Sequence, residues 1–281
     1  MRRFLASIRR AWMGVAALAA VALGSATPAW GRAESRVAEV VVDVATGSVL
    51  YADRADALRH PASLTKMMTL YLVFDALAQG GLRPGSLVTV SPNAAGQPAS
   101  RLGIGANGSL AVRSAVEVVA VHSANDIAVA LAETLAGSEE RFVARMNAKA
   151  RRLGMLHTHF ANATGLTDAG NVTTARDIAT LSVAILKRHP RDYPVFATRS
   201  VRWGRRRLAN HNHLLGKVAG VDGIKTGYTV DAGYNLAASA RRGGRRIVAV
   251  VLGERSIAAR DVRVANLLEL GFGAQEPARR R

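Results

Sequence analysis

Apolar positions in this chain follow two periods, and the two are separated along it. Residues 37–44 alternate weakly and are rich in valine, Ala45-Thr46-Gly47 turns the chain, and residues 48–51 resume the pattern. That is the signature of a β-hairpin. Residues 234–240 and 246–253 are apolar runs around Arg241-Arg242-Gly243-Gly244-Arg245, which predicts a second hairpin, and 221–229 reads as a short strand before it. Between the two ends the spacing becomes helical: 63–77, 114–121, 126–135, 139–153 and 174–187 each predict a helix. Residues 260–270 add a last one, with Val264, Leu267, Leu268 and Leu270 apolar. The simplest architecture is α+β (mixed α/β in looser usage). One antiparallel sheet forms from both chain ends, flanked by helices, with a helical region inserted between.

The first 31 residues stand apart. Arg2, Arg3, Arg9 and Arg10 precede an apolar run over 11–24, and small residues follow. This is a signal peptide in composition and length, with cleavage expected between Ala26 and Ala33 and export by the general secretory route. Residues 32–281 are then expected to form one exported domain, in a periplasmic or cell-wall space. There are no cysteines, which excludes disulfides, thiolate catalysis and cysteine metal sites.

The formal charge is +18, and removing the four leader arginines leaves +14. Such a surface attracts polyanions. Export points to anionic envelope polymers or lipid head groups, and away from nucleic acid. Of 38 basic residues only five are lysine: Lys66, Lys149, Lys187, Lys217 and Lys225. Arginine stays protonated at ordinary pH, whereas a desolvated lysine can release its proton and act as a base.

Two of the five lysines sit in short motifs. Ser63-Leu64-Thr65-Lys66 opens a predicted helix, placing Ser63 and Lys66 on one face. A neutral lysine can activate a serine hydroxyl, and helix N-terminal N–H groups suit an oxyanion. Alone, the motif reads equally as an N-cap serine and an exposed lysine. Ser123-Ala124-Asn125 offers a proton-relaying hydroxyl and an amide that both donates and accepts. It reads equally as a helix cap. Lys225-Thr226-Gly227 joins an amine, a hydroxyl and a close-approach glycine suited to a carboxylate, or is an ordinary strand edge. The three in this order, 60 and 102 residues apart, are the set that serine β-lactamases and penicillin-binding proteins use.

The chain resembles the serine D-alanyl-D-alanine carboxypeptidases, low-molecular-mass penicillin-binding proteins, from about residue 37 to 253. The matching blocks include Pro61-Ala-Ser-Leu-Thr-Lys-Met-Met68, Ser123-Ala-Asn-Asp126, Phe160-Ala-Asn162, Gly165-Leu166, Thr174-Ala-Arg-Asp177 and Asp222-Gly-Ile-Lys-Thr-Gly227. The resemblance implies an acyl-enzyme on Ser63, with Lys66 as general base and Ser123 as proton relay. Asn125, Lys225, Thr226 and Gly227 bind substrate, and the backbone N–H groups of Ser63 and Tyr228 form the oxyanion hole. Lys225 is expected to stay charged. The implied partners are peptidoglycan stem peptides and, as covalent inhibitors, β-lactams, with no metal or organic cofactor. Tyr228 stands where the family often has histidine. About 28 residues follow Gly253, so neither a C-terminal β-domain nor an amphipathic anchor is expected. The rival activities are an endopeptidase cutting D-alanine cross-links, a β-lactamase, and a non-catalytic envelope protein that binds peptide or β-lactam. The β-lactamase reading lacks a Glu-x-x-x-Asn block between Ser123 and Lys225.

Overall fold

A computed structural model describes residues 36–273; the leader reading over 1–31 lies outside them. The valine-rich start forms β1 (Ala38–Asp43) and β2 (Val49–Asp53). A 3₁₀ turn at Ala62–Leu64 then feeds α1 (Thr65–Ala78). Next come β3 (Leu87–Thr89), α2 (Pro92–Ala95), β4 (Ser109–Ala111), α3 (Val112–His122), α4 (Asn125–Ala136), α5 (Glu139–Leu153) and α6 (Ala175–Arg188). A second 3₁₀ turn, Tyr193–Ala197, leads to β5 (Ser200–Trp203) and β6 (Arg206–Ala209). The chain then forms β7 (Val221–Thr229), β8 (Gly233–Arg242), β9 (Arg245–Glu254) and α7 (Ile257–Gly273).

The main sheet is antiparallel, in the order β2-β1-β9-β8-β7. Ala38 pairs with Leu252 and Asp43 with Ile247, so the two chain ends share one sheet as the patterning predicts. Val40, Val42, Val248, Val250 and Leu252 face the core of the helical region. Val41, Ile247, Ala249 and Val251 face the other way, toward Val264, Leu267 and Leu268 of α7. Both faces are covered, so these strands read as near-continuous apolar runs rather than clean alternations. The other strands are only three or four residues long and pair in two small ribbons, β3-β4 and β5-β6. Runs that short carry no readable period.

Caps fix the helix limits. Ser138 Oγ accepts from Arg141 N at the start of α5, and Gly154, at φ +83°, ends it. Thr174 Oγ1 accepts from Asp177 N at the start of α6. Such caps satisfy the orphan N–H groups of a first turn. The helix α1 is different, because residues on nearly every side of it are buried, from Thr65 through Phe74. It runs through the helical core, and that is what takes Lys66 out of water. Among the described residues no helix is long and apolar enough to cross a membrane.

Candidate active site

Ser63 sits in the 3₁₀ turn that leads into α1. Two strands hold this turn. The fully buried Asn235 of β8 donates through Nδ2 to His60 O at 3.0 Å and Pro61 O at 3.1 Å, while its Oδ1 accepts from Gly253 N at 2.8 Å. On β7, a Cβ at Gly227 would stand 3.0 Å from both Pro61 O and Ser63 N. Only glycine lets the β7 backbone come this near the Ser63 N–H.

Lys66, one turn on, is fully buried. Its Nζ lies 3.1 Å from Ser63 Oγ, 2.7 Å from Asn125 Oδ1 and 2.6 Å from Thr164 O. Burial, reinforced by the charge of Lys225, holds its pKa well below the usual lysine value, although Asp126 pulls the other way. The three neighbours match a neutral amine. Thr164 O can only accept, and Asn125 turns its oxygen to the lysine because its Nδ2 donates to Pro98 O at 2.9 Å. With Lys66 neutral, two N–H bonds satisfy those acceptors and the lone pair can accept from the one partner able to donate, the Ser63 hydroxyl.

Ser123 ends α3 in the left-handed region, at φ +64°, and Ala124 rather than Ser123 is the N-cap of α4. The capping alternative for Ser123 is therefore set aside. Its hydroxyl is buried and has no hydrogen-bond partner among the described residues. Beside it, Asp126 accepts from Leu102 N at 3.0 Å, Gly103 N at 2.8 Å and Ile127 N at 2.9 Å. Asn125 N donates to Ser100 O at 2.7 Å. The 98–103 loop is thus pinned against the start of α4, next to Lys66.

Lys225 and Thr226 lie on the edge strand β7, both buried. Lys225 Nζ donates to Thr226 O at 3.1 Å and has no carboxylate partner among the described residues. Burial, with help from Arg260, lowers its pKa to about 7. This modifies the expectation of a permanently charged Lys225, because the ammonium holds its proton only on the acid side of neutrality until an anion arrives. Tyr228 is half exposed and stacks on Tyr234, with ring centroids 4.3 Å apart.

The Ser63–Lys66 pair at a helix start is thus tied to the α3–α4 junction through Asn125 and to the edge strand β7 through the close approach of Gly227 to Ser63 N. A family model described as D-alanyl-D-alanine carboxypeptidase matches residues 25–256 of the chain. The chain belongs to this family. It is similar to D-alanyl-D-alanine carboxypeptidase DacF of Bacillus subtilis, at 37% identity over 245 residues, 84% of this chain and 62% of the relative. It therefore spans less than two thirds of the length of that relative. Among solved structures, DacD from Francisella tularensis superimposes with TM-score 0.82 at 31% identity, covering 85% of this chain and 70% of that one. Penicillin-binding protein D2 from Listeria monocytogenes, solved in a cefotaxime-bound form, gives TM-score 0.76 at 32% identity and covers 84% and 96%.

Three residues that position this carboxypeptidase-family site received no role from the sequence, although Asp126 and Asn162 lie in the matching blocks. Asn235 could have been noticed as a polar residue inside an apolar strand run. Asp126 follows the Ser-Ala-Asn motif, but its role as loop anchor needs the fold. Asn162 gathers Thr164 N, Thr164 Oγ1 and Gly165 N on its Oδ1 at 3.2, 3.1 and 2.7 Å, and so aims the Thr164 carbonyl at Lys66. Gly165, at φ +78°, passes so near the nucleophile turn that a Cβ there would stand 1.8 Å from Ala62 O. Gly165→Ala is expected to destabilise the protein by about 3 kcal/mol, from left-handed strain plus a backbone clash. Urea unfolding monitored by fluorescence checks this, and a midpoint equal to that of the parent would contradict it.

Proposed function

We propose that this chain is a serine D-alanyl-D-alanine carboxypeptidase that removes the terminal D-alanine from peptidoglycan stem pentapeptides. The observation that carries the reading is the buried Lys66 amine, 3.1 Å from Ser63 Oγ, with its two other neighbours fixed acceptors. In the proposed reaction Ser63 Oγ attacks the carbonyl carbon of the penultimate D-alanine, and its proton passes to the lone pair of Lys66. The carbonyl oxygen becomes an oxyanion facing the N–H groups of Ser63 and Tyr228. As the intermediate collapses the C–N bond breaks, and the proton reaches the departing amine from Lys66 through the Ser123 hydroxyl. Water then adds to the ester carbonyl, the C–Oγ bond breaks, and Ser63 regains its proton. Asn125 holds Lys66 and the substrate amide; Lys225 and Thr226 receive the terminal carboxylate.

The same site supports capture of β-lactams, whose strained amide and carboxylate present the same two groups. In this reading residues 1–31 are an export leader, residues 32–281 the catalytic unit, and the stem peptides are met outside the cytoplasm. The test combines two measurements on the purified protein. A pentapeptide ending in D-Ala-D-Ala is expected to yield free D-alanine and a tetrapeptide. Labelled penicillin is expected to add one equivalent of mass to the tryptic peptide containing Ser63. Neither D-alanine nor adduct would sink the proposal.

A further inference from the structure

Between Asp192 and Asp222 the chain holds no acidic residue, yet it carries Arg199, Arg202, Arg205, Arg206, Arg207 and Lys217. Four of the arginines lie on the β5-β6 hairpin or its turn. Its register pairs Val201 with Leu208, Arg202 with Arg207 and Trp203 with Arg206. Val201, Trp203 and Leu208 pack on the core, so Arg202 and Arg207 stand together on the opposite, solvent face, with Arg205 at the tip. Like charges opposite each other on a ribbon are unfavourable. In the other arginine-rich hairpin, β8-β9, three of the four arginines meet carboxylates: Arg242 meets Glu269 at 2.7 Å, Arg245 meets Asp43 at 2.9 Å and Arg246 meets Asp222 at 2.6 Å. The β5-β6 arginines have no carboxylate partner among the described residues. Arg207 Nε donates to Ser200 Oγ at 2.9 Å and Arg206 Nη1 to Leu102 O at 3.1 Å.

That last bond ties the hairpin to the pinned loop beside the active site. Burial, aided by the charges of Arg206 and Lys225, lowers the pKa of His122, the residue before Ser123, and burial, aided by Lys225, lowers that of His211 to about 4. The two imidazole rings lie 5.7 Å apart. Two uncharged imidazoles therefore lie between Lys225 and Arg206, and the exposed cations of this region are the hairpin arginines.

We propose that the β5-β6 hairpin is a docking surface for the substrate polymer, holding the carboxylates of neighbouring uncross-linked stem peptides while one stem occupies the cleft. This rests on the carboxypeptidase reading of the site. Every such stem ends in a carboxylate, so the polymer is a repeating polyanion, and arginine forks suit carboxylates. The hairpin's apolar side chains turn inward and none is among the exposed large hydrophobics, so it has no wedge for a bilayer surface.

The test uses the full chain carrying Ser63→Ala, so that nothing is turned over. Arg202→Gln, Arg205→Gln and Arg207→Gln are combined, and a control combines Arg113→Gln, Arg151→Gln and Arg152→Gln, all exposed and far along the sequence. Binding is measured to purified pentapeptide-rich sacculi, to the same sacculi with carboxylates amidated, and to phosphatidylglycerol vesicles. Single exposed ion pairs are weak and salt-screened. The three together are therefore expected to weaken sacculus binding about tenfold at low salt. The control stays within about twofold, and amidation erases the difference. Equal losses in both triples, no loss in the hairpin triple, or tighter binding to vesicles than to sacculi would overturn the docking surface. No D-alanine released from a soluble pentapeptide by the parent protein, with Ser63 intact, would instead defeat the reading of the site, and that result is independent of the sacculus measurement.

Discussion

Lys66→Arg is expected to lower the rate of Ser63 acylation by labelled penicillin at least about a thousandfold, although it keeps the positive charge. General-base assistance contributes roughly 10²–10⁴-fold, and a guanidinium cannot supply it because it does not deprotonate in proteins. The pocket sharpens the argument. Among the described residues no carboxylate contacts Lys66 Nζ, and its fixed neighbours are an amide oxygen and a peptide carbonyl. Burial and Lys225 together disfavour the charged form. The active form is the deprotonated one, so acylation by the parent protein should rise with pH through the Lys66 pKa. That rise should lie well below the usual lysine value. Stopped-flow acylation across pH measures both features. A Lys66→Arg protein within tenfold of the parent would remove Lys66 from the role of base.

What could be read in advance, and what could not, follows from how far each interaction reaches along the chain. Ser63 and Lys66 share one helical turn, and Ser123 and Asn125 share one junction, so their chemistry is written in adjacent letters. The helix limits at Ser138, Gly154 and Thr174 are equally local, because a cap involves only three or four residues. The pairing of the N-terminal hairpin with the C-terminal one was legible because both ends are rich in β-branched and apolar residues and lie outside the helical stretch.

The rest depends on contacts between distant residues. The Asn235 bonds to His60 O and Pro61 O span 175 and 174 positions. The carbonyl that orients Lys66 belongs to Thr164, 98 residues away. Any residue type supplies a backbone carbonyl, so no side-chain motif marks it. The charge state of Lys225 is hidden for a different reason. It is set by the burial of β7 and by Arg260, which come together only when α7 packs on the sheet. Ser123 shows the remaining ambiguity. Its neighbours suit a helix start, yet α3 runs up to it and its left-handed backbone makes it an end instead.

Truncating Lys225 to alanine is expected to lower kcat/KM on a pentapeptide about a thousandfold, and the loss should vanish when the terminal carboxylate is amidated. Removing one partner of a buried charged pair costs roughly 2–5 kcal/mol, because the other charge is left desolvated and unmatched. Lys225 is 2% exposed and, among the described residues, bonded only to Thr226 O, so the substrate carboxylate would supply its counter-charge. In the parent protein the carboxylate substrate should therefore outperform its amide by about three orders of magnitude; in Lys225→Ala the ratio should collapse toward one. A ratio unchanged by the substitution would place the carboxylate elsewhere. The pH dependence supplies an independent check with a definite sign. Binding needs the ammonium, and the unliganded pKa is about 7. The parent kcat/KM should thus decline above about pH 7 as the free protein loses that proton. Lys225→Arg keeps the charge at every ordinary pH, so it should remove this alkaline decline. If the decline persisted with arginine at 225, some other group would govern it.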